Sequence, residues 1–378
     1  MRIAIATPAH NVYSETFIAA HIERLTSVEL VLSGGELPRR VVNGPELLQY
    51  GGFAFARDQV IARLLSTDQR GLLSRRLAAE LRKARIDVVL AEYGSTADAM
   101  REACARAGVP LVAHFHGFDA HKQVVIDEKG GYRALFAQAK AIVAVSRFME
   151  EQLLRLGAPR EKLVYNCYGI DVERFTSGDP VKAPPHFVAV GRFVDKKAPH
   201  LTLSAFERLV QRMPEAKLTM VGQGPQWESC VQRAASAPLA GRVDLPGVRS
   251  PEEIAALMRG SRAFVQHSMR AMSGDCEGTP LAVLEAMATG IPVVSTRHAG
   301  IADVVQHEVH GLLCDEADVV GMARNMERVA RDAELAGHMG RAGRAKARRR
   351  AGQHRRAVRI GIARLPIKEP ACSGRAVK

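Results

Sequence analysis

The chain has 378 residues, of which 47% are hydrophobic and 25% charged, and its formal net charge is +13. A chain of this length usually forms two domains of about 170 to 200 residues, and this composition excludes a fibrous or largely disordered protein. No apolar stretch approaches the roughly 20 residues of a membrane-spanning helix, and the first residues lack the pattern of a signal peptide. These features predict a cytoplasmic protein with a cleft between two domains.

The positive charge is concentrated at the end of the chain. From Arg341 to Lys378 there are thirteen Lys or Arg residues and one acid, Glu369, so this segment supplies +12 of the total +13. The tail is therefore a candidate for peripheral contact with anionic membrane at the inner face of the cytoplasmic membrane. A nucleic-acid partner is the alternative, but the segment has no Phe, Tyr or Trp for base stacking, and no nucleic acid is expected.

The cysteines show no C-x-x-C pair and no regular spacing. We interpret them as reduced, mostly buried thiols, with neither a zinc site nor a disulfide framework. They are Cys104, Cys167, Cys230, Cys276, Cys314 and Cys372.

Short apolar, β-branched runs alternate with helical patterns along the whole chain. In the first half the runs are RIAIAT, VELVLS, DVVLAEY, PLVAHFH, AIVAVS and KLVYN; in the second half strands are predicted at 186–190, 216–222, 262–266 and 292–296, with helices near 198–212 and from Pro280. Strands that are apolar on both faces suit a parallel sheet covered by helices on each side. The predicted fold class is α/β, with two doubly wound, Rossmann-like parallel-sheet domains.

A segment rich in Pro, Gly and Ser at 175–186 separates these two sets of strands. It predicts a domain boundary, with one domain at 1–178 and a second at 185–345. Residues 346–378 form a basic tail, and beyond about residue 350 the sequence shows no clear amphipathic spacing.

The most informative segment is EGTPLAVLEAMATGIPVV, which begins at Glu277. Thr279 is a candidate N-cap and Pro280 suits the first position of a helix, so a helix N-terminus is expected at a loop. Unpaired backbone N–H groups and the positive end of the helix dipole would then form a diphosphate site. A carboxylate one and a half turns along, Glu285, can reach back toward ribose hydroxyls, and Glu277 can hold a polyol on the other side of the diphosphate.

Two Glu residues eight apart occur often by chance, but the whole segment resembles the E-x7-E motif of family 4 retaining glycosyltransferases with the GT-B fold. The resemblance implies a donor site for a nucleoside-diphosphate sugar, with nucleotide-sugar binding by the domain at 185–345 and acceptor binding by the domain at 1–178. The residues assigned to it in this segment are Glu277, Gly278, Thr279, Pro280, Leu281 and Glu285.

Three further segments carry the resemblance. Gly191-Arg192 with Lys197 is similar to the Gly-Arg and Lys elements of the family, which implies that both cations bind the diphosphate; a solvated basic loop is the alternative. The glycine turn after Val221 places Gly222 near the nucleotide, or is a simple turn. The segment LPGV resembles the strand that faces the base, which adds Gly247 to the donor site.

In the first domain the segment AHFHGFD follows a predicted strand, where doubly wound folds bind ligands. The resemblance implies that His116 or Asp119 lines the donor-sugar and acceptor cleft, while a structural role for His116 stays open and His114 is a core candidate. Further upstream, SETF resembles family members that build bacterial exopolysaccharides, including colanic-acid-type enzymes. Glu15 and Thr16 are therefore acceptor-binding candidates, unless Ser14 simply caps a helix.

The resemblance also implies retention of anomeric configuration, a closing motion of the two domains, and no metal or other cofactor. The predicted catalytic set is His116, Glu277, Arg192 and Lys197. No Asp-x-Asp occurs in a suitable loop, so positive charge would come from the two cations and the helix N-terminus. The expected donor is a UDP- or GDP-sugar, and the expected acceptor is a polysaccharide or a lipid-linked saccharide.

Two features depart from the family pattern. Where the family usually has Glu after HAG, this chain has Ile301-Ala302-Asp303. The arginine-rich end also does not resemble the helix with which GT-B enzymes usually cross back to their first domain. A non-catalytic scaffold of the same fold, or a membrane-surface or nucleic-acid binder that uses the tail, is therefore kept as the alternative function.

Overall fold

The computed structural model of the protein describes residues 1–12, 15–49 and 51–363, with side chains described as far as residue 351. Ser14 and residues 364–378 of the basic tail lie outside the described residues. Among the helices that are described, none is both long enough and apolar enough to cross a bilayer.

The first sheet has seven strands in the order β3-β2-β1-β4-β5-β6-β7. Its strands are β1 Ile3–Ala6, β2 Val28–Ser33, β3 Arg40–Val41, β4 Val88–Glu92, β5 Leu111–Phe115, β6 Ala141–Ala144 and β7 Leu163–Tyr165. All neighbours are parallel except the short pair β2 and β3. Its helices are α1 Thr16–Arg24, α2 Gly52–Leu64, α3 Gln69–Lys83, α4 Gly94–Ala107, α5 Phe118–His121, α6 Gln123–Glu128, α7 Arg133–Gln138 and α8 Arg147–Arg155.

The second sheet has six strands in the order β10-β9-β8-β11-β12-β13, all parallel. Its strands are β8 His186–Val190, β9 Lys217–Val221, β10 Val243–Gly247, β11 Ala263–Gln266, β12 Val293–Thr296 and β13 Gly311–Cys314. Its helices are α9 Pro199–Val210, α10 Trp227–Ala234, α11 Pro251–Arg259, α12 Leu281–Thr289, α13 Ala299–Val304, α14 Val319–Arg331 and α15 Ala333–Ala363. The predicted fold class is confirmed.

Both sheets reverse their strand order at one point, between β1 and β4 in the first and between β8 and β11 in the second. In doubly wound sheets the loops at the carboxyl ends of such strands diverge and leave a crevice. The Pro-rich segment 175–186 lies between β7 and β8. Each sheet therefore contributes one crevice, and the two crevices face the same cavity described below.

Helix α15 corrects the expectation for the end of the chain. It begins at Ala333, runs through residues predicted to lack helical periodicity, and packs against α12. Its face toward α12 contains small buried residues at helical spacing, Gly340, Gly343 and Ala347. A guanidinium of this helix, that of Arg344, donates a hydrogen bond to the carbonyl of Phe175 at 2.8 Å. The helix therefore joins the second domain to the segment that leaves the first.

The two domains share one apolar core. A single cluster of buried residues extends across both domains. It includes Val89 and Ala91 of β4 in the first sheet and Val283 and Met287 of α12 in the second domain. A separate core lies on the other side of the second sheet, around Phe187 and Phe206. The shared cluster holds the two crevices against each other.

Candidate functional site

A cavity of about 700 Å³ lies between the two domains. This volume lies within the usual range of about 300 to 1,000 Å³ for small-molecule sites. Its walls come from the loops after β1, β4 and β5 in the first domain and after β8, β9 and β10 in the second, together with the start of α12. All of the predicted donor and acceptor residues line it, with two exceptions, Gly247 and Asp119.

Asp119 is a correction to the predicted acceptor site. Its side chain is fully buried and accepts hydrogen bonds from the backbone N–H groups of Gly94 at 2.8 Å, Gly117 at 2.8 Å and His116 at 3.1 Å. With these contacts it ties the loop after β5 to the start of α4. Asp119 therefore holds the cavity wall in place and does not face a ligand.

Gly247 is the second exception. Its carbonyl accepts a hydrogen bond from the N–H of Gly222 at 2.9 Å, so it fixes the neighbouring glycine turn. The residues that follow it, Val248, Arg249 and Ser250, line the cavity in its place. The predicted segment therefore lies at the site, but the residues that line the cavity begin one position after Gly247, at Val248.

The start of α12 differs in detail from the prediction. Pro280, and not Thr279, is the N-cap residue. The hydroxyl of Thr279 instead donates a hydrogen bond across the domain boundary to the carbonyl of Val145 at 2.7 Å. Leu281 and Ala282, the first residues of the helix, line the cavity, and amides at a helix start have no intrahelical acceptor. The cavity therefore meets the positive end of α12.

Lys197 and Glu277 form the charged centre of the cavity, with Nζ and Oε1 3.0 Å apart. Among the residues that the structure describes, this Oε1 has no well-directed hydrogen-bond partner, so the contact is an ion pair set by charge. Burial raises the pKa of Glu277, but attraction to Lys197 and Lys196 outweighs it and lowers the pKa to about 2. The carboxylate is therefore ionised at neutral pH, and a lysine faces it from the loop after β8.

Two neighbours support this pair. Lys196 lies 3.1 Å from the carboxylate of Asp275 and donates to the carbonyl of Cys276 at 3.2 Å, which pins the chain just before Glu277. His298 accepts a hydrogen bond from the N–H of Glu277 at 3.2 Å, while its other ring nitrogen lies 2.6 Å from Glu316. The sequence analysis passed over Lys196, although it adjoins the predicted lysine.

Glu285 lies a turn and a half into α12 and its side chain lines the cavity. Burial raises the pKa of this carboxyl to about 7, with partial compensation from Lys197 and Arg174. This carboxyl is therefore partly protonated at neutral pH. Hydroxyl donors from a ligand would favour its ionised form.

His116 lies in the opposite wall with both ring nitrogens in use. Its Nε2 lies 2.7 Å from Oε2 of Glu92, and its Nδ1 lies 2.6 Å from the hydroxyl of Tyr168. Phe17 packs on the ring at a centroid distance of 4.4 Å. Of the predicted catalytic set, His116 therefore lines the cavity with both ring nitrogens already in contact with protein groups, while Glu277 and Lys197 present charged groups.

Glu15 is held at the cavity by a tyrosine that the sequence analysis missed. The hydroxyl of Tyr93 donates to Oε1 of Glu15 at 2.7 Å, whereas Oε2 is buried without a hydrogen-bond partner among the described residues. Thr16 lines the same part of the cavity and is exposed. A carboxylate oxygen without a donor can accept a hydrogen bond from a ligand hydroxyl.

Asp303 replaces the glutamate expected after HAG, and it does not line the cavity. Its carboxylate accepts a hydrogen bond at 2.6 Å from the N–H of Arg147, the first residue of α8 in the other domain. Ser146 caps the same helix by accepting from the N–H of Met149 at 3.1 Å. The shorter side chain thus joins the domains at the edge of the site.

One group of potential metal ligands occurs among the described residues, His21, Glu92 and His114, all of which are buried. Within it, His21 Nδ1 lies 2.7 Å and His114 Nδ1 3.2 Å from Glu92 oxygens. Burial lowers the pKa of His114 to about 4. The group lies behind the cavity wall, away from the charged pair of Lys197 and Glu277 on the other domain.

Acid should destabilise the protein through its buried histidines. His114 and His267 are both buried with a pKa lowered to about 4, chiefly by burial, against an ordinary value near 6.5. The unfolded chain therefore binds more protons between pH 6.5 and 4, so the free energy of unfolding falls as pH falls through this window, by about 3 kcal/mol for His114. Urea titrations at pH 7 and pH 5 measure this, and His114→Asn should show a shallower pH dependence. Equal midpoints at both pH values would contradict the prediction.

Two Rossmann-like domains that share a cavity at their strand-order reversals, with cations and a helix start in its walls, form the GT-B fold of glycosyltransferases. Comparison with known families agrees: "Glycosyl transferases group 1" matches residues 173–346 and "Glycosyltransferase Family 4" matches residues 44–174. The chain belongs to this family of group 1 glycosyltransferases.

Two bacterial proteins show the relationship in sequence. AmsK of Erwinia amylovora, named an amylovoran biosynthesis glycosyltransferase, is 30% identical over 71% of this chain and 68% of its own length. WcaL of Escherichia coli K12, named for colanic acid biosynthesis, is 32% identical over 64% of this chain and 61% of its own length. The chain thus spans about 61 to 68% of these curated relatives.

Solved structures show the same fold at low sequence identity. HepE of Anabaena in complex with UDP and glucose superposes with a TM-score of 0.72 at 17% identity, covering 97% of this chain and 100% of that one. Sucrose-phosphate synthase of Thermosynechococcus elongatus gives a TM-score of 0.67 at 17% identity, covering 96% and 98%. These matches establish the fold.

Proposed function

We propose that the protein is a retaining glycosyltransferase that moves a sugar from a UDP- or GDP-sugar to a polysaccharide or a lipid-linked saccharide, without a metal ion. The observation that carries the proposal is the cavity between the domains, where Lys197, Glu277 and Glu285 converge on the start of α12. Exopolysaccharide assembly is the proposed role, because the two bacterial relatives are named for colanic acid and amylovoran biosynthesis.

The proposed donor lies along α12. The diphosphate contacts the first amides of the helix, near Leu281, and the cations Arg192 and Lys197. The ribose hydroxyls bind Glu285, and the transferred sugar binds between Glu277 and the wall formed by His116. Negative charge grows on the departing diphosphate during transfer, so the fixed cations stabilise the transition state more than the bound donor.

The proposed acceptor approaches from the first domain, where Glu15 and Thr16 line the cavity. Oε2 of Glu15 offers an acceptor for a sugar hydroxyl. The leaving phosphate takes the proton of the attacking hydroxyl, which requires no protein base. We place the enzyme in the cytoplasm, with peripheral membrane contact through the basic tail, of which residues 364–378 lie beyond the described part of the chain.

Nucleotide affinity should depend on Glu285 and on pH. Because burial raises the pKa of this carboxyl to about 7, and ribose hydroxyls favour its ionised form, binding should release a proton and weaken as pH falls below 7. The limit is about tenfold per pH unit. Calorimetric titration of UDP and GDP at pH 8, 7 and 6, with EDTA present and in buffers of different ionisation enthalpy, measures both effects.

Glu285→Ala should abolish the binding of whichever nucleotide, UDP or GDP, the wild-type protein binds. Glu228→Ala, at an exposed position on α10, serves as the matched control and should leave that binding unchanged. Affinity that is unchanged in Glu285→Ala would place the ribose elsewhere. Binding that requires a divalent cation and disappears with EDTA would refute the metal-free mechanism. No binding of either nucleotide would refute the proposed donor class.

A further inference from the structure

Helix α2 exposes large apolar side chains of the kind that a surface helix normally buries. Phe53 is 89% exposed, Val60 55% and Leu64 79%. Their spacing of seven and four residues places them on one line along the helix, and the exposed Ala56 lies between the first two. Single exposed apolar residues are common, but an aligned set of large ones marks a contact surface. These four residues are the apolar stripe of α2.

A buried ion pair on the opposite side of α2 fixes this orientation. Asp58 is 1% exposed, and its two carboxylate oxygens each accept a hydrogen bond at 2.7 Å from the guanidinium of Arg76 on α3. Arg76 also donates to the carbonyl of Leu47 at 2.6 Å. Turning the apolar stripe toward the core would break this pair and leave Arg76 without its counter-charge, which is costly. The packing of the first domain therefore holds the stripe outward.

Arginines flank the apolar stripe. Arg57 lies on one side of it and Arg63 on the other, and both are exposed. Arg57 contacts Asp58 at 3.3 Å and is still more than half exposed. Because Asp58 is the single acid between positions 49 and 67, and is buried, the exposed surface of α2 carries positive charge only. An apolar stripe between arginines is complementary to a bilayer that contains anionic lipids.

The length and the charge of α2 both favour a membrane surface as its partner. Its 13 residues, Gly52–Leu64, span about 20 Å, which is less than the roughly 30 Å of a hydrocarbon core, so the helix can lie along a bilayer but cannot cross it. In that position the apolar side enters the acyl boundary while long arginine side chains reach the phosphates. Two copies packed through this face would place like charges together, which disfavours a dimer.

The chain enters α2 from the carboxyl edge of the first sheet. In the hairpin of β2 and β3, the N–H of Gly35 donates to the carbonyl of Pro8, in the loop after β1, at 2.8 Å. The N–H of Leu47, shortly before the helix, donates to the carbonyl of Arg39 in the same hairpin at 2.6 Å. The segment after β1 also carries Glu15 to the cavity. The helix therefore starts at the edge that carries the proposed acceptor wall.

We propose that α2 docks the protein on the surface of an anionic bilayer, with its apolar stripe among the acyl chains and with Arg57 and Arg63 at lipid phosphates. This contact is separate from the tail contact proposed above, and it requires no nucleotide. It also determines the side from which a lipid-linked acceptor reaches the cavity, namely the edge of the first sheet that faces the membrane. That last point rests on the proposed function, whereas the docking does not.

Vesicle flotation of the full-length protein tests the surface. The protein should bind vesicles of phosphatidylcholine mixed with phosphatidylglycerol more tightly than vesicles of phosphatidylcholine alone. Phe53→Ser and Leu64→Ser should each weaken binding to the anionic vesicles about tenfold or more. Arg57→Gln and Arg63→Gln should each weaken it about fivefold. Because all four side chains are exposed, the urea midpoint of each variant should equal that of wild type.

Matched controls separate α2 from the rest of the surface. Val320→Ser on α14 and Arg208→Gln on α9 each remove an exposed residue of the same kind from the second domain, and both should bind vesicles as wild type does. Replacing the arginines and lysines of residues 364–378 with glutamine tests the tail separately. If the α2 variants bind as wild type does and only the tail variant is weakened, the proposal is wrong.

The depth of insertion distinguishes a bilayer from a protein partner. The sequence has one tryptophan, Trp227, on α10 of the second domain, so Phe53→Trp adds a reporter and wild type is its reference. Brominated acyl chains in the anionic vesicles should quench Phe53→Trp and leave the wild-type fluorescence unchanged. Absence of this quenching, or a lipid-free dimer in sedimentation that is lost in Phe53→Ser, would overturn the proposal. None of these assays contains nucleotide, so failure of the proposed donor class would leave their outcome unaffected.

Discussion

Lys197→Ala is expected to lower kcat/KM for the nucleotide sugar about 10³-fold. The ammonium lies at the cavity between the start of α12 and Glu277, where the diphosphate is proposed to bind, and it is only slightly exposed. Removing a preorganised cation from the place where negative charge develops costs about 10² to 10³ in rate. The variant also leaves Glu277 buried without its main counter-charge, which weakens binding of an anionic donor further.

Steady-state kinetics with the nucleotide sugar that binds in calorimetry measure this loss. Lys197→Arg keeps the charge with a different geometry and should recover part of the rate. Lys217→Ala removes an exposed lysine at the start of β9 and controls for charge alone. A loss of less than about tenfold in Lys197→Ala would remove this lysine from the catalytic set.

Glu277→Gln should have a different signature, with kcat reduced about 10²-fold and the donor KM lowered. The sugar gains positive charge in the transition state, and an ionised carboxylate next to it stabilises that charge. With the carboxylate removed, the Lys197 ammonium 3.0 Å away is no longer neutralised and attracts the diphosphate more strongly. A fall in both constants is the pattern expected when ground-state binding improves while the transition state loses an interaction.

The same kinetic assay separates the two residues, because Lys197→Ala should raise KM and Glu277→Gln should lower it. Glu207→Gln is the matched control, since it removes the acid of a partly exposed ion pair with Arg233, of length 2.7 Å, outside the cavity. A Glu277→Gln variant with wild-type kcat would show that this carboxylate only balances the charge of the lysine.

The structure also explains how the two halves of the site are held together. Gly278 packs against the backbone of His116, and a β-carbon at this position would collide with the His116 carbonyl. Thr279 donates a hydrogen bond to Val145 and Asp303 accepts one from Arg147, so two hydrogen bonds join the second domain to the segment that follows β6. These contacts hold the two domains together beside the cavity.

Much of the fold could be read from the sequence because it depends on local patterns. Strands buried on both faces are continuous apolar runs, and runs such as VELVLS and DVVLAEY are found as β2 and β4. The candidate donor residues could be proposed for the same reason, since the segment from Glu277 to Glu285 combines a loop, a helix start and a carboxylate within one helix. Interactions between residues that are close in sequence can be recognised from a short stretch of that sequence.

The helix α15 could not be read in this way. Large apolar side chains give a helix its visible periodicity, whereas this helix approaches α12 through Gly340, Gly343 and Ala347, which are small and easily taken for a low-complexity tail. Its partly buried arginine, Arg344, donates a hydrogen bond to a carbonyl of the interdomain segment, which is a partner remote in sequence. Close backbone packing, and not hydrophobic patterning, places this helix.

The sequence by itself determined the two doubly wound domains and the donor loop with its charged residues, because strand burial, helix starts and glycine turns are local properties of the chain. Only the tertiary structure decided which of those residues face the cavity. It turned Asp119 toward three backbone amides and brought His21, Glu92 and His116 together from separate elements. Hydrogen bonds between residues 24 to 71 positions apart depend on how the strands are ordered, and no spacing in the sequence encodes that order.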